Sequence, residues 1–224
     1  MSDVCVLDHL VVTAPALDAG VRFVEETLGC TMRPGGQHVR LGTHNALLRV
    51  GDDSYLEVIA IDPSAAPISR ARWFALDSQS ATNSSPRLAT WVMRTPNIAT
   101  TVSNIQCDVG PIEMMSRGEL EWLITIPKDG RLICDGVMPS IIEWNTNSLP
   151  ASRLPLSGVS LLRLELHHPE IHVVQAQLEQ CGFRGPVTFH SRSSSSSAEL
   201  RAVFETPRGT VTLSSSSASK SNQG

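Results

Sequence analysis

His9 lies in Leu7-Asp8-His9-Leu10-Val11-Val12-Thr13-Ala14-Pro15, and a fainter version of that segment returns as Leu88-Ala89-Thr90-Trp91-Val92-Met93-Arg94-Thr95-Pro96. A second pair keeps the same order: Tyr55-Leu56-Glu57-Val58-Ile59 is echoed by Ile141-Ile142-Glu143-Trp144-Asn145. Glu57 and Glu143 each interrupt a nearly apolar run, where an unpaired carboxylate is costly to bury. Each therefore needs a partner: a metal ion, a histidine, an arginine or a substrate. A histidine facing carboxylates can hold a cation or exchange protons. It can also serve structure alone, with its ring satisfied by Asp8, Glu57 or a backbone carbonyl. Arg94 and Arg117 are the structural alternatives for the acids.

Placing these groups requires strands at both ends of each repeat. Residues 4–13 are rich in Val and Leu and close on Ala14-Pro15, as a buried strand does at a turn. Leu17, Val21, Val24 and Leu28 then recur at helical spacing, and Gly29 stands where a left-handed helix terminus is wanted. Strands are expected at 37–41, 45–50 and 55–61, the last two joined by the Gly51-Asp52-Asp53-Ser54 turn. The first unit, 4–62, reads βαβββ. Residues 63–87 form a connection, with Trp73 and Phe74 expected to plug the sheet. A second unit spans 88–147, with strands at 88–95, 119–126 and 139–145 and a weak helix at 98–105. A third, partial copy covers 157–214 and resumes at 159–167. The Ser-rich tail 215–224 carries no apolar pattern and is expected to be disordered. The fold class is α+β: paired βαβββ modules forming a curled mixed sheet around a cleft, with a third partial βαβββ-like module at the C-terminus.

Composition narrows the function. Of 224 residues, 41% are hydrophobic, enough for a real core. A net charge of -4 with scattered Lys and Arg gives no field for a phosphate backbone, so nucleic acid is not an expected partner. The five cysteines (Cys5, Cys30, Cys107, Cys134, Cys181) include no CxxC pair and read as thiols in a reducing compartment. The N-terminal stretch lacks a basic region and cleavage site, and no run reaches the roughly 18 apolar residues of a spanning helix. A cytoplasmic protein without membrane contact is expected. No GxSxG elbow is present, which argues against triad hydrolysis. His167-His168 suggests a metal pair, but neighbours on a strand face opposite sides, so the two cannot readily share an ion.

Leu7 to Val12, Gly42-Thr43-His44-Asn45-Ala46-Leu47-Leu48, Tyr55 to Ile59, Arg72-Trp73-Phe74-Ala75-Leu76-Asp77 and Gly136 to Trp144 resemble the successive signatures of one family. It is the glyoxalase-like branch of the vicinal oxygen chelate superfamily, and the likeness runs over about residues 4 to 213. The resemblance implies a metal site of His9, Glu57 and Glu143, with the fourth position falling on Thr90, a poor ligand. Such a donor set suits one divalent ion, Zn, Ni, Mn, Fe or Mg, acting as a Lewis acid on a carbonyl or enolate. It implies no nucleotide cofactor. Glu143, with His9, would be the proton-transferring group. Without a metal, one carboxylate would act as base beside His9. Arg117 and Trp122 match positions that would bind an anionic or planar small-molecule substrate, and His44-Asn45 would line the same cleft. The expected activity is that of an isomerase or lyase on a small oxygenated metabolite, favoured over a dioxygenase. The competing reading is a metal-free binding or sequestering protein. Because one chain carries both half-sites, a homodimer is open but not required.

Overall fold

β1 (Cys5–Thr13) runs through the middle of a curled sheet, and all but one of its residues are buried. A strand covered on both faces needs no alternation of polar residues, which is why it reads as an almost unbroken apolar run. The computed structural model describes residues 4–78, 85–146 and 148–215. The expected tail beyond residue 215 lies outside these, as do residues 79–84 of the connection.

The first unit continues with α1 (Leu17–Leu28), β2 (Arg33–His38), β3 (Thr43–Arg49) and β4 (Tyr55–Ile61). The second comprises β5 (Arg87–Arg94), α2 (Ile98–Ser103), β6 (Ile112–Arg117), β7 (Leu120–Thr125) and β8 (Ser140–Trp144). All eight strands join one sheet in the order β2-β3-β4-β1-β5-β8-β7-β6. In each unit the first strand pairs in parallel with the fourth, β1 with β4 and β5 with β8. The units meet where β1 and β5 pair antiparallel. These are the paired βαβββ modules, and the pairing brings the opening and closing strands of both to the centre of the sheet.

After the short α3 (Pro150–Arg153), the C-terminal part runs through β9 (Ser160–His168), α4 (Ile171–Gln180), β10 (Phe183–Arg184), β11 (Val187–Ser191), β12 (Glu199–Thr206) and β13 (Gly209–Ser214). Its order is again strand, helix, strands, but its pairing is its own. Four strands make a separate sheet, β11-β9-β12-β13, while β10 adds to β1.

Two apolar layers sandwich the large sheet. On the outer face Leu10, Leu56, Trp91 and Ile141 pack with the helices and with Leu164, Leu166 and Phe204 of the small sheet. On the concave face Val11, Ile59, Val92 and Ile142 pack beneath Trp73, Phe74 and Trp122. Gly20 lets α1 approach closely, since a Cβ there would collide with Val58 and Ala14. All five cysteines are free thiols. Among the described residues no helix is long and apolar enough to cross a membrane.

Candidate functional site

The pairing of β1 with β5 skips Asp8: Leu7 pairs with Met93 and His9 with Val92. A residue left over in this way bends the strand and disturbs the alternation of side chains, so neighbours can reach the same surroundings. Asp8 and His9 do so. Asp8 Oδ1 lies 2.7 Å from His9 Nδ1, and both residues are buried. Asp8 Oδ2 accepts from Trp144 Nε1 at 3.0 Å and lies 3.4 Å from Arg94 Nη1. The His9 ring stacks on its strand partner Tyr55, with centroids 4.5 Å apart and planes 16° from parallel.

The other His9 nitrogen, Nε2, lies 3.5 Å from Glu57 Oε2. Glu57 Oε1 accepts from Asn45 Nδ2 on the neighbouring β3. Asn45 Oδ1 in turn accepts from Gly36 N and from Arg117 Nη1, at 2.8 and 3.1 Å. Arg117, at the end of edge strand β6, thus reaches across the mouth of the curl to the first module. Its Nη1 is also 3.3 Å from His38 Nε2, while His38 Nδ1 is 3.2 Å from Thr43 Oγ1. The arrangement that satisfies both His38 nitrogens puts the proton on Nδ1 and lets Nε2 accept from the guanidinium. Trp73, Phe74, Trp122 and Trp144 close over these groups, leaving a cavity of about 20 Å³, room for about one water.

The charges are strongly biased. Burial alone would lower the His9 pKa, but the hydrogen bonds and charges of Asp8 and Glu57 outweigh it and raise the pKa to about 9. Glu57, which burial pushes up, is instead held down at about 2, chiefly by its bond to His9 and the His9 charge. At neutral pH the pair is an imidazolium facing a carboxylate. His38 goes the other way: burial lowers it to about 4, so it is neutral. Burial also raises the Tyr55 phenol well above its usual range.

Of the residues singled out in the sequence, His9, Glu57, Asn45, Arg117 and Trp122 line this one cavity. Glu143 does not. Ile142 and Trp144 turn inward, whereas the Glu143 carboxylate accepts from Ile98 N at 2.7 Å, on the first residue of α2. Its partner is a helix terminus, whose free N–H groups and dipole favour an anion. His44, one residue from Asn45, points to the opposite face. It lines a groove of about 600 Å³ with Pro15, Leu17, Met32 and Ile61. Thr90 gives its hydroxyl to the carbonyl of Gly136 at 3.0 Å. His38, Tyr55 and Trp144 line the cavity without having been singled out for it. Of these, Tyr55 and Trp144 lay within the motif stretches, while nothing in the sequence around His38 marks it.

A resident divalent ion would need more than these groups supply. His9 Nε2 and Glu57 Oε2 could share one, and Asp8 behind Nδ1 would orient the ring as a supporting carboxylate does. A third donor is lacking among the described residues. Glu143 and Thr90 are engaged elsewhere, and His38 Nε2 faces a guanidinium that itself brings a positive charge into the cavity. The donor set does not fit a resident divalent cation, and what it does fit is a proton held between His9 and Glu57.

A strand-and-helix architecture of paired βαβββ units with this central cavity defines a vicinal oxygen chelate fold. The model of the glyoxalase-like domain matches residues 7–182, and the chain belongs to that family. Among solved structures, a hypothetical protein from Staphylococcus aureus superposes with a TM-score of 0.62 at 14% identity, covering 86% of this chain and 87% of that one. A methylmalonyl-CoA epimerase variant from Streptomyces coelicolor, in complex with 2-nitronate-propionyl-CoA, gives 0.43 at 19% identity over 62% of this chain and 97% of the other. The methylmalonyl-CoA epimerase from Mycobacterium tuberculosis gives 0.38 at 16% identity, over 62% and 85%. No curated protein gives a significant match to the sequence.

Proposed function

We propose that the protein is an isomerase-type enzyme that moves a proton on a small, oxygenated, anionic metabolite, using His9 and Glu57 with Arg117 as the anion-binding group. The observation that carries this reading is the buried His9–Glu57 pair at 3.5 Å, backed by Asp8 on the far nitrogen. The two groups are coupled in a useful way. Burial raises the Glu57 pKa, and only the protonated His9 with its other partners holds it down. When the His9 proton is drawn to a substrate carbonyl oxygen, that restraint weakens and Glu57 becomes a stronger base as the adjacent C–H becomes more acidic. Glu57 then removes the proton, the enolate oxygen is stabilised by His9 and Arg117, and return of the proton gives the isomer.

The cavity holds about 20 Å³, too little for a metabolite, so this reading has lining side chains such as Trp73 and Phe74 move aside on binding. That closure favours a second reading, a protein that sequesters a small ligand without transforming it. Both readings use a small molecule, and neither requires a second subunit.

Incubation with a panel of small 2-oxo and 2-hydroxy acids in D₂O, followed by proton NMR, separates them. The enzyme reading expects loss of a substrate C–H signal with wild type and none with Glu57→Gln. Ligand-induced shifts without exchange for any member of the panel would support sequestration and overturn proton transfer.

A further inference from the structure

On the C-terminal sheet, β9 and β11 run in parallel with His167 opposite His190 and Glu165 opposite Thr188. Leu164 and Leu166 are fully buried in the core, so the alternating Glu165 and His167 stand on the outer face, where their side chains are 15% and 16% exposed. The His167 and His190 rings stack with centroids 4.5 Å apart and planes 15° from parallel. Glu165 Oε2 is 3.5 Å from His167 Nε2, and one ligand atom from each of the three residues lies within 4.8 Å of the others. Donors at about 2.0 to 2.1 Å from a tetrahedral zinc are about 3.4 Å apart. One pair already meets that spacing, and His190, which is exposed on an edge strand, is free to close the rest.

We propose that Glu165, His167 and His190 form a binding site for a divalent transition-metal ion of the zinc type, separate from the His9 cavity.

Three features prepare the site. His167 Nε2 is buried and meets no partner at hydrogen-bonding geometry, Glu165 Oε2 at 3.5 Å being the group it faces, so an ion entering between the two displaces no established hydrogen bond. Arg163 occupies Glu165 Oε1 through both Nε and Nη2, each at 2.8 Å, which fixes the carboxylate and leaves Oε2 turned to His167. Thr188 Oγ1, 3.0 Å from His190 Nε2, orients that ring.

The surroundings select the ion. Arg163, Arg192 and Arg201 are paired with only Glu165 and Glu199 around the cluster, three positive charges against two negative, so the patch offers no electrostatic attraction to a cation. A hard ion held by several oxygens, such as magnesium or calcium, finds too few donors here. Affinity must come from the two imidazole nitrogens, which suit zinc, nickel or copper. His168 takes no part, because its Nδ1 accepts from Glu170 N on the other side of the strand. The ion would tie edge strand β11 to β9.

The test is titration of chelator-stripped, full-length protein with Zn(II) by calorimetry and with Co(II) by visible absorption. The expected result is one ion per chain, lost in His190→Phe, which keeps a ring against His167 but removes the nitrogen, and retained in His9→Gln. Circular dichroism checks that His190→Phe and His9→Gln both fold at the temperature of the titration, and Glu165→Gln gives an independent loss of affinity. Absence of binding by the wild type at micromolar metal overturns the site. So does binding that survives His190→Phe and Glu165→Gln, or that disappears only in His9→Gln.

Discussion

Glu57 pairs in register with Val11, two residues beyond His9 on the neighbouring strand, yet its Oε2 lies 3.5 Å from His9 Nε2. The side chains lean toward each other across a parallel pair, and both are buried. A buried ion pair is costly to form and more costly to break, because the survivor keeps its charge without its partner.

His9→Ala should therefore destabilise the fold by about 3 to 5 kcal/mol, the range for stranding a buried charge. Pairing it with Glu57→Gln should recover part of that loss. Urea denaturation of the two single variants and the double variant measures the coupling directly, and strictly additive effects would contradict the pairing.

The same charges set a pH optimum for stability. The His9 pKa is raised from 6.5 to about 9, so its contribution is complete below 6.5 and is lost as pH rises through 9. His38 is lowered from 6.5 to about 4, so stability falls as pH drops from 6.5 toward 4 and the unfolded chain alone takes up the proton. Glu57, lowered from 4.5 to about 2, adds a further loss as pH falls below 4.5. Together these groups place the maximum near pH 6.5. Thermal melts across this range check it.

Glu143 should behave as a helix cap. Glu143→Ala is expected to cost about 1 kcal/mol, as loss of a side-chain partner for a helix N-terminus does. It should leave the His9 ring signals in an NMR spectrum unmoved. A shift of those signals would return Glu143 to the cavity.

This residue also shows where the sequence stops being informative. The Glu57 and Glu143 segments look alike, but side chains on a strand alternate, and a slip of one residue exchanges the faces. Apolar neighbours on both sides, Ile142 inward and Ile141 outward, give no pattern from which to read the face. The strand β1, helix α1 with its Gly29 terminus at φ 66°, and the β3–β4 hairpin were legible because apolar spacing and turn residues agree there. β2 was expected at 37–41 but spans Arg33–His38, with a 3-10 turn at Val39–Leu41. Pro34-Gly35-Gly36 disguises an edge strand whose pairing is interrupted between Pro34 and Gln37. For that reason His38 escaped notice. β6, an exposed edge strand with little alternation, escaped for a similar reason, although Arg117 at its end did not. The approach of Asp8 to His9 depends on a bulge, which apolar periodicity does not encode.

Trp73 is 4% exposed and stacks on Phe74 with centroids 5.1 Å apart. Trp73→Ala should cost about 3 to 5 kcal/mol for the lost burial and the space left behind. It should also open the cavity, so that small anions associate faster; stopped-flow binding reads this. An unchanged association rate would mean that Trp73 does not close the entrance.

The protonation state of His9 tests the account most directly. Proton–nitrogen NMR of the imidazole across pH 5 to 10 should find both ring nitrogens protonated at neutral pH, titrating near 9, with a large downward shift in Glu57→Gln. A neutral ring at pH 7, or a titration indifferent to Glu57, would contradict it.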